Sequence, residues 1–304
     1  MSEELLSGVL CFNKPQGCTS HDVIYRVRKL YGTRQVGHTG TLDPLAEGVL
    51  VVMVGRAVKA SELLSSDTKE YVATLKLGLT TDTEDITGTV LTKYEGVLPD
   101  FSAVKDVAAE FVGDIMQMPP MYSALKVDGK KLVDLARSGK TVEREKRQVR
   151  VERLDVYETE TEGEYLLNVR VSKGTYIRTL CADIGQRLRC GAVMKTLVRT
   201  SAGAFGIENS FTEEQLKAMS HEERVAVLTP VDVLFEDAPS VCLSDFFARL
   251  AACGCEIYQK KIKTDIPVGS LVRMYDKNGF FAVGRVQDFP DGSAIKPLKQ
   301  FRIG

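Results

Sequence analysis

Gly37-His38-Thr39-Gly40-Thr41-Leu42-Asp43-Pro44-Leu45-Ala46-Glu47-Gly48 is the stretch on which the reading of this chain turns. Three glycines and a proline impose an irregular backbone around Asp43. The chain then passes at once into Val49-Leu50-Val51-Val52-Met53-Val54, an apolar run that reads as a buried strand. An Asp held on a rigid turn at the mouth of a sheet is where an enzyme places a carboxylate for chemistry. Asp before Pro is also an ordinary turn or N-cap element. The stretch alone leaves both readings open.

Working outward, residues 8–14 read as a strand ended by Lys14-Pro15. Ser20 reads as the cap of a helix with Val23, Ile24, Val27, Leu30 and Tyr31 at core-facing spacing and Gly32 at its end. Helices are expected over 57–64, 102–112, 129–138, 176–188 and 212–219, the first of them short. Strands are expected over 71–79, 147–159, 165–173 and 192–205, with a polar turn over 80–88. A linker is expected near 236–242, followed by one helix over 244–252 and several strands with a turn at Lys277-Asn278-Gly279. Hairpin-like strands mixed with helices, without regular βαβ alternation, favour an α+β architecture.

At 304 residues, 44% hydrophobic and 27% charged, the chain is long enough for a full core and ordinary for a globular protein. It has no apolar run of the ~20 residues that span a bilayer. Met1 to Leu6 carry acid rather than a basic leader, so neither membrane insertion nor secretion is expected and the cytoplasm is the expected compartment. Seven cysteines without CxxC spacing and three histidines make a metal site unexpected and free thiols the plain expectation. The net charge of −1 conceals segregation. Residues 126–150 and 259–304 each hold nine basic against four acidic side chains, an asymmetry that can give a neutral protein a positive face or merely a solvated one.

Several short motifs fail on inspection. Asp82, Glu84 and Asp85 look like a calcium loop, but Ile86 and Thr87 occupy positions that need a ligand and a Gly. Gly139-Lys140-Thr141 ends like a phosphate-binding loop, but Asp134 stands where its first Gly must be. Gly37-His38-Thr39-Gly40 fits GXXG without the flanking basic helices of a KH domain.

Four longer blocks flank the opening stretch in order: Gly8-Val9-Leu10-Cys11-Phe12-Asn13-Lys14-Pro15-Gln16-Gly17, Lys69-Glu70-Tyr71, Met121-Tyr122-Ser123-Ala124-Leu125-Lys126, and Ser172-Lys173-Gly174-Thr175-Tyr176-Ile177-Arg178-Thr179-Leu180. Together they resemble the bacterial tRNA pseudouridine-55 synthases of the TruB type, from about Gly8 to Phe205, with a weaker continuation to the end. The resemblance implies the pseudouridine synthase fold, a mixed, largely antiparallel sheet with flanking helices and a central cleft. It also implies a small β-rich, PUA-like RNA-binding domain, with the boundary placed between 1–237 and 238–304.

The implied reaction isomerises uridine to pseudouridine at position 55 in the T-loop of tRNA. It neither adds nor removes atoms, so no redox or phosphate cofactor is expected. The partner is the tRNA T-arm, and nothing in the sequence demands more than a monomer. The target base must be flipped out of its loop to be reached. By the resemblance, Asp43 is the essential carboxylate, Arg178 pairs with it, and Tyr71 stacks on the uracil and is a candidate for the C5 proton. His38 inserts near the flipped nucleotide, and Lys14, Tyr176 and Leu197 line the pocket. Lys14 is open to two readings, neutralising a phosphate or supporting Asp43. A neighbouring guanidinium is expected to hold the Asp43 pKa low. Two alternatives remain at this stage: a glycoside-type hydrolase using Asp43, which lacks an evident second acid, and a non-catalytic RNA-binding protein.

Overall fold

In the computed structural model the chain is described at residues 6–63, 68–123, 125–127, 129–140 and 142–302. Leu64, the expected end of the first short helix, lies outside the described residues, as do Ala124 of the third block and Thr141. The first elements are β1 (Ser7–Lys14), α1 (Ser20–Tyr31), β2 (Val36–His38), β3 (Glu47–Gly55) and β4 (Lys69–Leu77). A hairpin of β5 (Leu79–Thr81) and β6 (Val90–Lys93) leads to α2 (Phe101–Ala109) and β7 (Gly113–Gln117). The short pair β8 (Lys126–Val127) and β9 (Lys130–Lys131) precedes α3 (Leu132–Arg137). Then come β10 (Arg147–Glu158), β11 (Glu164–Val171), α4 (Ile177–Arg187), β12 (Ala192–Ala202), β13 (Phe205–Gly206), α5 (Glu213–Ala218) and α6 (His221–Ala226).

Among the described residues, nine of these strands form one sheet. Its order is β1-β3-β12-β4-β11-β10-β7, with β2 on β3 and β13 on β12. Every pairing is antiparallel except β12 with β3. The run Val49–Val54 is apolar throughout because both faces of β3 are covered. Leu50, Val52 and Val54 join the helix-covered core, while Val49 and Val51 pack on the reverse face with Val9, Cys11 and Phe205. Val23, Ile24 and Val27 of α1, Val104 and Ala108 of α2, and Ile177, Leu180 and Ile184 of α4 cover the first face, as their spacing predicts.

Four local expectations need correcting. The cap of α1 is Thr19, in a reciprocal box with Asp22: Asp22 N donates to Thr19 Oγ1 at 3.1 Å and Thr19 N to Asp22 Oδ2 at 2.8 Å. Ser20 is instead the first helical residue, and its buried hydroxyl serves a distant loop. The expected 57–64 helix is a tighter 3-10 turn over Arg56–Glu62, and the expected 129–138 helix begins only at Leu132, after the β8–β9 pair. The 236–242 stretch is not all linker, since Ser240–Cys242 forms strand β14, parallel to a later strand.

That later strand belongs to a second sheet, built by β14, α7 (Asp245–Ala252), β15 (Ile257–Tyr258), α8 (Gln259–Ile262), β16 (Leu271–Asp276), β17 (Gly279–Phe289) and β18 (Gly292–Gln300). Its order is β14-β16-β17-β18-β15, and Val272, Met274, Val286 and Ile295 bury against Ala248 and Ala251 of α7. An apolar seam joins the two sheets. Met53 of β3 and Ala57 and Ala60 of the 3-10 turn that follows it meet Val231, Phe235, Val283 and Phe301 there. Phe280 and Phe301 stack at 5.4 Å between centroids, and the Tyr275 hydroxyl donates to Asp232 at 2.6 Å.

Removing residues 240–304 should therefore destabilise what remains, by uncovering Met53, Val231 and Phe235. The expected loss is roughly 3 kcal/mol or more, and the melting temperature should fall by at least about 6 °C, read by circular dichroism. A truncated chain that melted with the full-length protein would show that the seam contributes nothing.

Candidate active site

Five consecutive backbone carbonyls of the Asp43 loop have partners, most of them from distant sequence. Gly40 O and Thr41 O accept from the Arg199 guanidinium at 3.2 and 3.5 Å. Leu42 O accepts from Ser20 Oγ at 2.9 Å, and Leu42 N donates back to the same hydroxyl at 2.8 Å. Asp43 O accepts from Ala46 N at 3.1 Å and Pro44 O from Gly17 N at 2.8 Å. At the loop's end Gly48 has φ +97°, and a Cβ there would sit 2.3 Å from the Arg199 carbonyl. Glycine is needed for both reasons, and its use lets β3 approach β12.

The loop opens onto a cavity of about 710 Å³. Asp43, Tyr71, His38, Tyr176, Leu197 and Arg178 all contribute to its wall. The structure thus brings six of the seven expected site residues together. Tyr71 and Leu197 are buried, at 7% and 6% exposure, and give the wall an aromatic and an aliphatic surface. Tyr176 stands at the N-cap of α4, where the Gln117 side chain holds it: Tyr176 N donates to Oε1 at 2.8 Å, and Nε2 donates to Tyr176 O at 3.1 Å. Burial pushes its phenol pKa up, so it is a neutral hydrogen-bonding group there.

Lys14 is the exception. It is fully buried, lies off the cavity wall, and donates to Pro15 O at 2.9 Å and Cys18 O at 2.8 Å. An ammonium so enclosed does not reach a phosphate. Its expected place in the substrate pocket is corrected to one beneath the loop, where its charge acts on Asp43 from behind.

Arg178 carries the electrostatics of the site. It sits in the first turn of α4, where the helix dipole disfavours a cation, yet its side chain is 5% exposed and fully engaged. Nε meets Asp43 Oδ2 at 2.9 Å, Nη1 donates to Thr83 O at 3.0 Å, and Nη2 donates to Tyr122 O at 2.9 Å. Asp85 Oδ2 lies 3.7 Å from Nη1. The fork does not grip both oxygens of Asp43; it ties Asp43 to the 80s turn and to the segment carrying Tyr122.

The expectation that Asp43 has a low pKa is overturned. Burial pushes its carboxyl above the usual carboxylate value, Arg178 acts against that, Asp85 adds to it, and Lys14 opposes it. The guanidinium is shared with Asp85 and two carbonyls, so it does not outweigh desolvation. His38 moves the other way: burial first, then the Arg199 charge, lowers its pKa and leaves the imidazole neutral near pH 7. Its Nδ1 is buried without a hydrogen-bond partner among the described residues.

Asp85 and Arg199 are site residues that the sequence reading passed over. Asp85 is 5% exposed, and its Oδ1 accepts from Thr83 Oγ1, Thr87 N and Thr87 Oγ1 at 2.8, 3.0 and 2.6 Å. The threonines around it were the available signal, since such hydroxyls satisfy a buried carboxylate locally. For Arg199 the signal was strand alternation, which puts it on the same face as Leu197. Among the described residues, no cluster of three or more His, Cys, Asp or Glu could hold a metal ion, and no helix is long and apolar enough to cross a membrane.

Comparison with known proteins bears on this arrangement. Residues 28–177 match the N-terminal domain of the TruB family pseudouridylate synthases, and residues 178–236 match the tRNA pseudouridylate synthase B C-terminal domain. The tRNA pseudouridine synthase B of Francisella tularensis subsp. novicida is 38% identical over 293 residues, covering 95% of this chain and 93% of that protein. That of Alkaliphilus oremlandii is 39% identical over 285 residues, covering 93% and 94%. Among solved structures, a chain of a Cbf5-Nop10-Gar1 complex superposes with a TM-score of 0.75 at 28% identity, covering 98% of this chain and 86% of that one. A chain of an H/ACA RNP bound to a substrate RNA containing 2′-deoxyuridine gives 0.73 at 26% identity, with 98% and 86% covered.

Proposed function

The chain belongs to the TruB family of pseudouridylate synthases, and from that premise we propose that it converts uridine to pseudouridine at position 55 in the T-loop of tRNA, with Asp43 opening the N-glycosidic bond. The observation that carries this reading is the contact of Asp43 with Arg178, 2.9 Å from Nε to Oδ2, at the wall of a cavity that also holds Tyr71 and Leu197. At about 710 Å³ the cavity has room for a nucleoside.

The uridine leaves its loop and enters the cavity between Tyr71 and Leu197, which take up its faces in place of the lost stacking. Asp43, ionised, attacks at the ribose–uracil junction while Arg178 holds its Oδ2 in place. As the Asp43–C1′ bond forms the C1′–N1 bond breaks, its electron pair leaving on N1; the uracil turns within the cavity, and C5 then displaces Asp43 from C1′, so that the C1′–C5 bond forms as the Asp43–C1′ bond breaks. C5 loses a proton and N1 ends with one, so mass is conserved. Tyr176 and a neutral His38 border the cavity and hold the entering nucleotide. Binding to the T-arm uses the exposed Lys130, Lys140, Lys146 and Arg147, and the β-rich unit, taken as 238–304 beside a catalytic unit of 1–237, adds PUA-like contact with the tRNA. The protein acts as a monomer in the cytoplasm.

The test is a carbodiimide-based pseudouridine map of an unmodified tRNA incubated with the purified protein. A single stop at position 55 in a product of unchanged mass is expected. An abasic site would mean hydrolysis, and unaltered uridine with bound tRNA would mean a binding protein; either would overturn the reading.

A further inference from the structure

Arg199 lies on β12 two residues beyond Leu197, so the pleat of the strand turns both toward the cavity. Its side chain is among the most deeply buried in the chain, at 1% exposure. Burying a guanidinium is costly unless its donors are satisfied, and an apolar residue would fill a core position more cheaply. The cation there therefore calls for an explanation other than packing.

Its bonds supply one. Nε donates to Val49 O at 2.6 Å, Nη2 to Gly40 O at 3.2 Å and Nη1 to Thr41 O at 3.5 Å. All three acceptors are backbone carbonyls, two just before Asp43 and one just after the loop rejoins β3. The backbone of Arg199 also stands opposite Gly48 in β3 and opposite Tyr71 in β4. One residue thus fastens the loop bearing Asp43 to the strands on either side, one of which bears Tyr71.

We propose that Arg199 is a positioning residue whose guanidinium fixes the Gly40–Asp43 turn against β12 and so sets the Asp43 carboxylate against Arg178. This rests on Asp43 being the reactive carboxylate. Lysine in its place offers one ammonium at the end of a flexible stem and cannot reach three carbonyls on two elements at once. Methionine keeps the length and packing of the stem and removes every donor. A turn freed by a fraction of an ångström lowers turnover without altering the surface that meets the tRNA.

The test measures Arg199→Lys, Arg199→Met and Asp43→Asn side by side, with single-turnover rates, KM, tRNA affinity and the pH dependence of the rate. For Arg199→Lys the rate should fall about 10- to 100-fold, with KM and tRNA affinity within about twofold. The acid limb of its profile should move to higher pH, because Asp43 drifts from Arg178 and loses the charge that opposes its protonation. Arg199→Met should behave alike. A residue that only filled the core would lower the folded fraction and leave the acid limb in place.

Wild-type rate and limb in folded Arg199→Lys, a loss confined to KM, or failure of both variants to fold would each overturn the proposal. The last would mark Arg199 as purely structural. Turnover by Asp43→Asn would overturn the reading of Asp43 itself, and a dead Asp43→Asn beside a normal Arg199→Lys would overturn only the role of Arg199.

Discussion

Asp43→Asn should bind tRNA as the wild type does, lose turnover by at least about a hundredfold, and melt no lower than the parent. The rate follows from chemistry, since an amide of the same shape cannot act as an anionic nucleophile. The unchanged affinity follows from position, because Asp43 is one small group in a cavity wall that is otherwise untouched. The stability has the less obvious sign. Burial raises the folded-state pKa of Asp43 above its ordinary value, with Asp85 adding to the effect. The folded chain then binds that proton more tightly than the unfolded chain, so stability declines as pH rises through the interval between the two values. The Asp43 side chain is 36% exposed, so water screens most of this cost, but its sign means that the neutral amide, which still accepts from Arg178 Nε, does not weaken the fold at neutral pH.

The same shift predicts that the wild-type rate falls on acidification through a pKa above the usual carboxylate range. Single-turnover kinetics, a binding isotherm and thermal denaturation check these outcomes. Turnover above about a tenth of wild type would remove Asp43 from the chemistry. A clear drop in melting temperature would mean that the ion pair with Arg178 outweighs the cost of burying the charge.

The elements of the large sheet were legible in the sequence because they rest on local pattern. Val49–Val54 and the 3.6-residue spacing of Val23, Val27, Ile177, Leu180 and Ile184 are readable wherever they occur. The Asp43 loop was legible as an irregular turn for the same reason. Its supports were not, because each comes from far along the chain: Ser20 lies 22 residues from Leu42, and Arg199 more than 150 from Gly40. A single sequence shows Ser20 as a helix cap, since capping is local, whereas its bonds to Leu42 exist only once α1 is docked. For the same reason the sequence leaves Lys14 between neutralising a phosphate and supporting Asp43. What makes its burial tolerable is a pair of carbonyls, at Pro15 and Cys18, whose direction depends on how the chain turns there. The low pKa expected for Asp43 failed in a related way: a carboxylate and a guanidinium can be paired from sequence, but neither the burial that raises the carboxyl nor the competing claims of Asp85, Thr83 and Tyr122 on that guanidinium can be read there.

Those competing claims decide the second large effect. Arg178→Lys keeps the charge but should lose both rate and stability, in contrast to Asp43→Asn, which loses rate alone. One ammonium can meet Asp43 or the carbonyls, but not Asp43 at 2.9 Å, Thr83 O at 3.0 Å and Tyr122 O at 2.9 Å together. Each buried carbonyl left without a donor costs about 1–3 kcal/mol. Thr83 and Tyr122 are half-buried, so the two together would lower stability by roughly 2 kcal/mol, the low end of that range, visible as an earlier denaturant midpoint. The rate should drop on the order of a hundredfold, because the 80s turn, the Tyr122 segment and Asp43 are no longer held to one rigid group. Measuring the rate per folded molecule separates the two losses. Normal turnover with reduced stability would make Arg178 a brace for the two segments alone. Reduced turnover at full stability would mean that the lysine satisfies the carbonyls, and that the planar fork matters only where it faces Asp43.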